Sequence, residues 1–206
     1  GPTGSCDLKR WREGHRTSFG ERRMISPVVS MRKLTHGEIV ARQEERLQQP
    51  RLSLMVVLND IRSLHNVGSI FRTCDGVGVK KLWLCGITGY PPHQHLAQTA
   101  LGAERQVPWE YREDVVTLLK ELKADGYQIV LLEQMAESLS YDAFIPQTPV
   151  CLVVGNEIEG VASKIIPHCD MAIEIEMAGL KNSLNVAVAF GVVAYHFRST
   201  VLHPQK

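Results

Sequence analysis

"GLKNSLNVA", residues 179–187, joins two apolar segments. Before it, "MAIEIEM" (171–177) alternates apolar and acidic residues as a strand does. After it, "VAVAFGVVAYHF" (186–197) is apolar nearly all round, as a buried helix is. Polar groups at such a junction cost free energy unless something satisfies them. Ser183 stands where it can cap the helix, whose first turn has free N–H groups. A Ser183 cap leaves Asn185 inside an apolar helix and in need of a partner. It leaves Gly179, Lys181 and Asn182 unexplained too. The stretch caps a helix, holds a ligand, or does both.

Upstream, short β-branched runs alternate with helical patterns. "LSLMVVL" (52–58), "KKLWLCG" (80–86), "YQIVLLE" (127–133) and "PVCLVVG" (149–155) read as strands beside 171–177. "NVGSIFRTCDGVG" (66–78), "LAQTALGAERQ" (96–106), "DVVTLLKELKADG" (114–126) and "LNVAVAFGVVAYHFR" (184–198) read as helices. This alternation predicts an α/β fold, with a mostly parallel sheet covered by helices on both faces.

The 206 residues suit one domain plus a tail. Residues 1–51 hold eleven Lys/Arg against six Asp/Glu, and the remainder twelve against sixteen. We therefore divide the chain into a basic N-terminal extension (1–50), partly helical, and a main domain (51–206). The extension reads as a polyanion-binding arm or as a solvated tail, and "GPTGS" at its start resembles a cloning scar. Within it, "LTHGEIVARQEERLQQP" (34–50) carries Thr35 and Glu38 at capping-box spacing. No charge-free apolar run reaches membrane-spanning length, and the N-terminus has no secretory pattern. Five cysteines, none at Cys-x-x-Cys spacing, argue against zinc and for reduced thiols in the cytoplasm.

Several motifs fail on chemistry. "GVG" (76–78) precedes a strand instead of following one, unlike a dinucleotide fingerprint. "GNEIEG" (155–160) lacks the lysine and hydroxyl of a phosphate loop, where Val161 and Ala162 stand. His93 and His95 read as solvated loop histidines with no partner at ligand spacing.

Three segments remain. "NDIRSLHNVGSIFRTCDGVG" (59–78) places Asn66, Arg72 and Thr73 after the end of a strand, where α/β proteins build sites. Gly68 permits a close approach there, and the plainer readings are a cap for Asn66 and a surface charge for Arg72. "VVGNEIEGV" (153–161) presents Asn156 and Glu157 between two glycines. The third is the opening stretch. In this order the three resemble the motifs of the SpoU (TrmH-like) family of RNA ribose 2′-O-methyltransferases, in the knotted SPOUT superfamily, over about residues 52–200: Asn66…Arg72-Thr73, Gly155-x-Glu157-x-x-Gly160, and Met177-x-Gly179-x-x-x-Ser183-Leu184-Asn185.

The resemblance implies a C-terminal deep trefoil knot, which no periodicity could reveal. It implies S-adenosylmethionine bound without metal against Leu152, Val154, Gly155, Asn156, Ile175, Met177, Ser183, Leu184 and Asn185, largely through main chain. Arg72 is implied as the activating residue, with Asn66, Glu157, Ser183 and Asn185 around it. A guanidinium gives up its proton only far above neutral pH, so gripping a phosphate and stabilising an alkoxide suits Arg72 better than literal base chemistry. It further implies a homodimer that buries the last helix on two sides. The extension is shorter than the separate RNA domain of some rRNA-modifying members, so tRNA is expected ahead of rRNA. One departure is Glu176, where the family usually carries proline. It keeps open a decayed, RNA-binding protein on the same fold; a base-methylating SPOUT enzyme is the other alternative.

Overall fold

A computed structural model describes residues 32–156 and 159–202. Glu157, Cys6 and the arm reading of residues 1–31 lie outside the described residues. The chain divides into two units between Gln48 and Gln49. The first holds helix α1 (His36–Leu47), with the expected capping box. Thr35 Oγ1 accepts from the Glu38 N–H, and Glu38 Oε2 accepts from the Thr35 N–H at 2.8 Å.

The second unit contains β1 (Leu52–Asn59), α2 (Leu64–Val77), β2 (Val79–Cys85), α3 (Gln94–Ala100), β3 (Trp109–Arg112), α4 (Val115–Ala124), β4 (Gln128–Leu132), β5 (Leu139–Ser140), β6 (Val150–Val154), β7 (Met171–Glu174) and α5 (Val186–Leu202). The seven strands pair in parallel in the order β3-β2-β1-β6-β4-β7-β5. Alternate strand residues feed two cores. Leu54, Val56, Leu58, Leu82, Leu84, Leu152 and Val154 pack with α2, α3 and α5. Val57, Trp83, Ile129, Leu131, Cys151 and Val153 pack with Leu118, Leu119 and Leu122 of α4. Helices therefore cover both faces, as the alternation predicts. Among the described residues, no helix is long and apolar enough to cross a membrane.

Four expectations need correction. The helix expected over 96–106 stops at Ala100, because Leu101 and Gly102 are left-handed (φ 52° and 92°), and a 3-10 turn follows. The edge strands β3 and β5 were not anticipated. β7 ends at Glu174 instead of Met177, since its pairing with β4 and β5 runs out there. The last helix starts at Val186 instead of Leu184 and packs on the sheet through Phe190, Val193, Ala194 and Phe197.

Burial pushes the Cys85 thiol up to about 12 and the Cys169 thiol to about 11, and raises Cys74 and Cys151 as well. All four are free thiols.

Gly68 sets the spacing of the first helix pair. A Cβ there would collide with Thr99 Oγ1 and the Leu96 carbonyl of α3. Gly68→Ala is expected to cost about 1–3 kcal/mol by overpacking, which lowers Tm by several degrees in a domain of this size. Thermal denaturation followed by circular dichroism checks this. An unchanged midpoint would mean that α2 and α3 do not meet this closely.

Candidate functional site

In a parallel sheet all carboxyl ends lie on one edge, and crevices there hold ligands. Here the register brings Leu58, Val154 and Leu132 level, so β1, β6 and β4 end together. β6 delivers Gly155 and Asn156 into a tight loop, closed by paired 3.0 Å backbone hydrogen bonds between Asn156 and Gly160. A Cβ on Gly155 would sit 2.8 Å from the Gly160 carbonyl oxygen, so this turn requires glycine. The Asn156 side chain holds the loop in place. Its Nδ2 donates to the Asp60 carbonyl (2.8 Å), and its Oδ1 accepts from the Glu159 N–H (3.0 Å).

β4 delivers Glu133 and Gln134. Glu133 accepts from the Val161 N–H (3.1 Å) and the Gln134 N–H (2.9 Å). Gln134 Nε2 donates to the Asn182 carbonyl (2.7 Å) and so ties the 175–185 segment to the strand end.

A cleft of about 250 Å³ opens between these ends, and its wall is completed by Glu174, Ile175, Asn182, Ser183, Leu184, Val186 and Ala189. A second cleft adjoins it and shares Ser183, Leu184 and Val186; it adds Arg62, Ser63, Asn66 and Asn185. Asn185 Nδ2 donates to Asn66 Oδ1 at 3.1 Å, joining the starts of α5 and α2.

The caps differ from the expected ones. Ser63 caps α2, accepting from the Asn66 N–H at 3.2 Å, so Asn66 itself is not the cap. Asn185, not Ser183, caps α5. Its Oδ1 accepts from the N–H groups of Ala187 (3.0 Å) and Val188 (3.4 Å). His93 is an exposed cap of α3.

Val154, Gly155, Asn156, Ile175, Ser183 and Leu184 of the expected set line the first cleft. Asn66, Ser183 and Asn185 meet in the second. Leu152 lies below the cleft floor, its backbone paired on both sides in the sheet. Met177 is half-buried outside the lining. Arg72 is exposed on another groove, with Thr73, Gln98, Thr99 and Tyr195. Six residues from Asn66 is nearly two turns, about 9 Å along the helix and well round its axis. Gly68 serves the approach of α3, not of a ligand. Leu132, Glu133, Gln134, Glu174 and Ala189 line the cleft unanticipated. Placing Glu133 and Gln134 there needs the adjacency of β4 and β6, which strand spacing in sequence does not give.

The cleft suits S-adenosylmethionine. Apolar walls from Leu132, Val154, Ile175, Leu184 and Ala189 fit a flat base, and Glu133 and Glu174 are the charged residues of the lining, both acidic. Glu176 is exposed and does not line the cleft, so the wall stands without the usual proline.

Two substitutions separate the roles of Asn185. Asn185→Ala is expected to lose the cap, about 0.5–2 kcal/mol. Asn185→Asp keeps an accepting oxygen at a helix N-terminus but loses the donor to Asn66. Thermal denaturation should therefore show a loss of Tm for the alanine variant alone. Equal losses would mean that the link to Asn66, not the cap, secures α5.

Comparison with known proteins agrees with this fold. The chain is 35% identical over 154 residues to the tRNA (guanosine(18)-2′-O)-methyltransferase of Aquifex aeolicus, covering 75% of this chain and 72% of that one. The crystal structure of the A. aeolicus TrmH/SpoU tRNA modifying enzyme superposes with a TM-score of 0.68 at 32% identity, covering 78% of this chain and 83% of that one. The AdoMet-bound rRNA methyltransferase of Sinorhizobium meliloti superposes at 0.67 with 27% identity, covering 74% of this chain but only 57% of that one. The model of the SpoU rRNA Methylase family matches residues 53–195, and the chain belongs to that family.

Proposed function

We propose that this protein transfers a methyl group from S-adenosylmethionine to a ribose 2′-hydroxyl of RNA, with tRNA as the substrate class ahead of rRNA. The observation that carries this is the pair of adjoining clefts sharing Ser183, Leu184 and Val186. One suits the cofactor; the other presents hydrogen-bonding amides to a hydroxyl. Similarity to the Aquifex tRNA enzyme supports the tRNA preference. Glu176 lies off the cleft wall, which removes the reason for the decayed reading.

When bound, the cofactor supplies a methyl group on a positively charged sulfur. Gly155, Asn156, Ile175 and Leu184 hold it mainly through backbone and apolar contact, and Glu133 and Glu174 face its positive charge. Asn66 and Asn185, fixed by their mutual hydrogen bond and by the α5 cap, would orient the hydroxyl for in-line attack, in which the O–C bond forms as the C–S bond breaks, the sulfur leaves as a neutral thioether and the hydroxyl proton passes to solvent. Ser183 lies between the two clefts. Glu157 is an orienting carboxylate proposed from sequence alone, and no metal is required.

The C-terminal segment forms the deep knot in this reading. Tyr141 and Phe144, from the connection before β6, make edge-on ring contacts with His196 and Phe197 of α5 at 5.3 and 5.5 Å. A connection lying over the last helix is what such a knot needs. Residues 1–50 are the basic extension that meets RNA, residues 51–206 the methyltransferase domain. Free thiols support a cytoplasmic setting.

The protein acts as a homodimer. Val188, Val192 and Tyr195 leave α5 with an exposed apolar face (53%, 37% and 53%), and Arg72 shares a groove with Tyr195. A second copy on this face brings Arg72 to the neighbouring cleft, where its fixed charge stabilises the developing alkoxide.

Calorimetry in a chelator should show S-adenosylmethionine binding, and the ligand should raise Tm by mass action on the folded state. Methyl incorporation into RNA, located by nuclease digestion, should map to the 2′-oxygen. Arg72→Ala should lose most of the transfer while retaining cofactor binding. No binding at millimolar cofactor, or near-normal turnover of the Arg72 variant, would overturn the assignment concerned. Equilibrium sedimentation should give a dimer at micromolar concentration, and Val192→Asp a monomer. A monomeric parent protein would remove the dimer.

A further inference from the structure

We propose that Arg62 holds the RNA phosphate beside the reacting ribose, and that it does so by exchanging Glu159 for that phosphate. This rests on the function proposed above.

Arg62 lies three residues beyond the end of β1, before the Ser63 cap of α2. It lines the second cleft with Ser63, Asn66, Ser183, Leu184 and Asn185. Among the described residues of that lining it is the cation. Asn66 and Asn185 supply amides, which can orient a hydroxyl but cannot neutralise a phosphodiester. A ribose carries its 3′-phosphate on the carbon next to the 2′-hydroxyl. A nucleotide whose 2′-hydroxyl meets Asn66 and Asn185 therefore presents a full negative charge within the same cleft. Arg72 cannot meet that charge from its own chain, because it faces the separate groove beside Tyr195.

Among its partners Arg62 has a counter-ion it can give up. Its Nη2 lies 3.2 Å from Glu159 Oε1, with the two side chains 52% and 73% exposed. Such a solvated pair is worth about 0–1 kcal/mol. An arginine–phosphate contact is charge-assisted and frequently bidentate, so it is the stronger of the two. Exchange leaves the loop intact, because Glu159 remains fixed by its N–H to Asn156 Oδ1 (3.0 Å). The carboxylate thus keeps the guanidinium at the cleft until a polyanion of the right shape displaces it.

The test uses the full chain and a pool of unmodified tRNA transcripts. Fluorescence anisotropy measures RNA binding across a salt series, beside single-turnover transfer, cofactor calorimetry and thermal denaturation. Arg62→Ala should weaken RNA binding about tenfold, on the order of one charge-assisted hydrogen bond. It should also reduce the log–log salt slope by about 0.7–0.9, the value for one phosphate contact. Cofactor Kd and Tm should not change. Arg62→Lys should recover the salt slope but only part of the transfer rate, since lysine keeps the charge without the planar fork. Glu159→Gln should bind RNA at least as tightly as the parent protein. Parent-like affinity and slope for Arg62→Ala would overturn the phosphate contact. A matching loss of cofactor affinity or Tm would show a structural role instead. Weaker RNA binding by Glu159→Gln would overturn the exchange. Should the parent protein bind RNA yet transfer no methyl group, the proposed function falls while the Arg62 binding result still decides this inference.

Discussion

The site depends on five buried residues that are paired on both sides. β6 is hydrogen-bonded to β1 on one side and β4 on the other, and every residue from Val150 to Val154 is buried. A slip of one position would exchange the side chains of the two cores and unpair both neighbours. The register is therefore fixed from within, and three strand ends arrive level. At that edge Asp60 adopts φ 58°, uncommon for a residue other than glycine. Its surroundings hold it there: its carboxylate accepts from Asn59 Nδ2 (2.7 Å) and the Ile87 N–H (3.0 Å), and its carbonyl accepts from Asn156. The turn after β1 and the loop after β6 are thus one hydrogen-bonded unit.

On that rigid edge, the 179–187 stretch satisfies its polar groups in two directions. The Asn182 carbonyl accepts from Gln134 at the end of β4, and the Asn185 amide serves both its own helix and Asn66. One side chain thus caps a helix with its oxygen and reaches the neighbouring helix with its nitrogen. A serine cap has no second arm of this kind, which is why placing the cap at Ser183 left the asparagine unexplained.

Much of the architecture is legible in local pattern. Strands buried on both faces read as unbroken apolar runs, and the α1 capping box reads directly from Thr35 and Glu38. Edge strands do not read this way. Trp109–Arg112 is half-buried throughout, and β5 has two residues, so neither leaves a periodic trace. Strand order is equally silent, because β4 and β6 are neighbours only through a crossover. Hence Glu133 and Gln134 emerge only with the fold. The separation of Arg72 from Asn66, by contrast, was legible. Six residues on a 3.6-residue helix cannot share a face, and motif order obscured a geometric fact present in the spacing.

The two clefts divide their chemistry by atom type. The first cleft sets the apolar side chains of Leu132, Val154, Ile175, Leu184, Val186 and Ala189 beside the glycines and polar groups of the loops, and Glu176 is not part of its wall. The second cleft depends on the side chains of Arg62, Asn66 and Asn185, for which no backbone group can substitute. One short loop touches both. Its Glu159 pairs with Arg62, while its Gly160 and Val161 lie against Glu133, whose carboxylate leaves no room for a Cβ at Gly160 (φ 68°). The Asn156 amide anchors this loop to the turn after β1 through the Asp60 carbonyl (2.8 Å), so both clefts rest on one support.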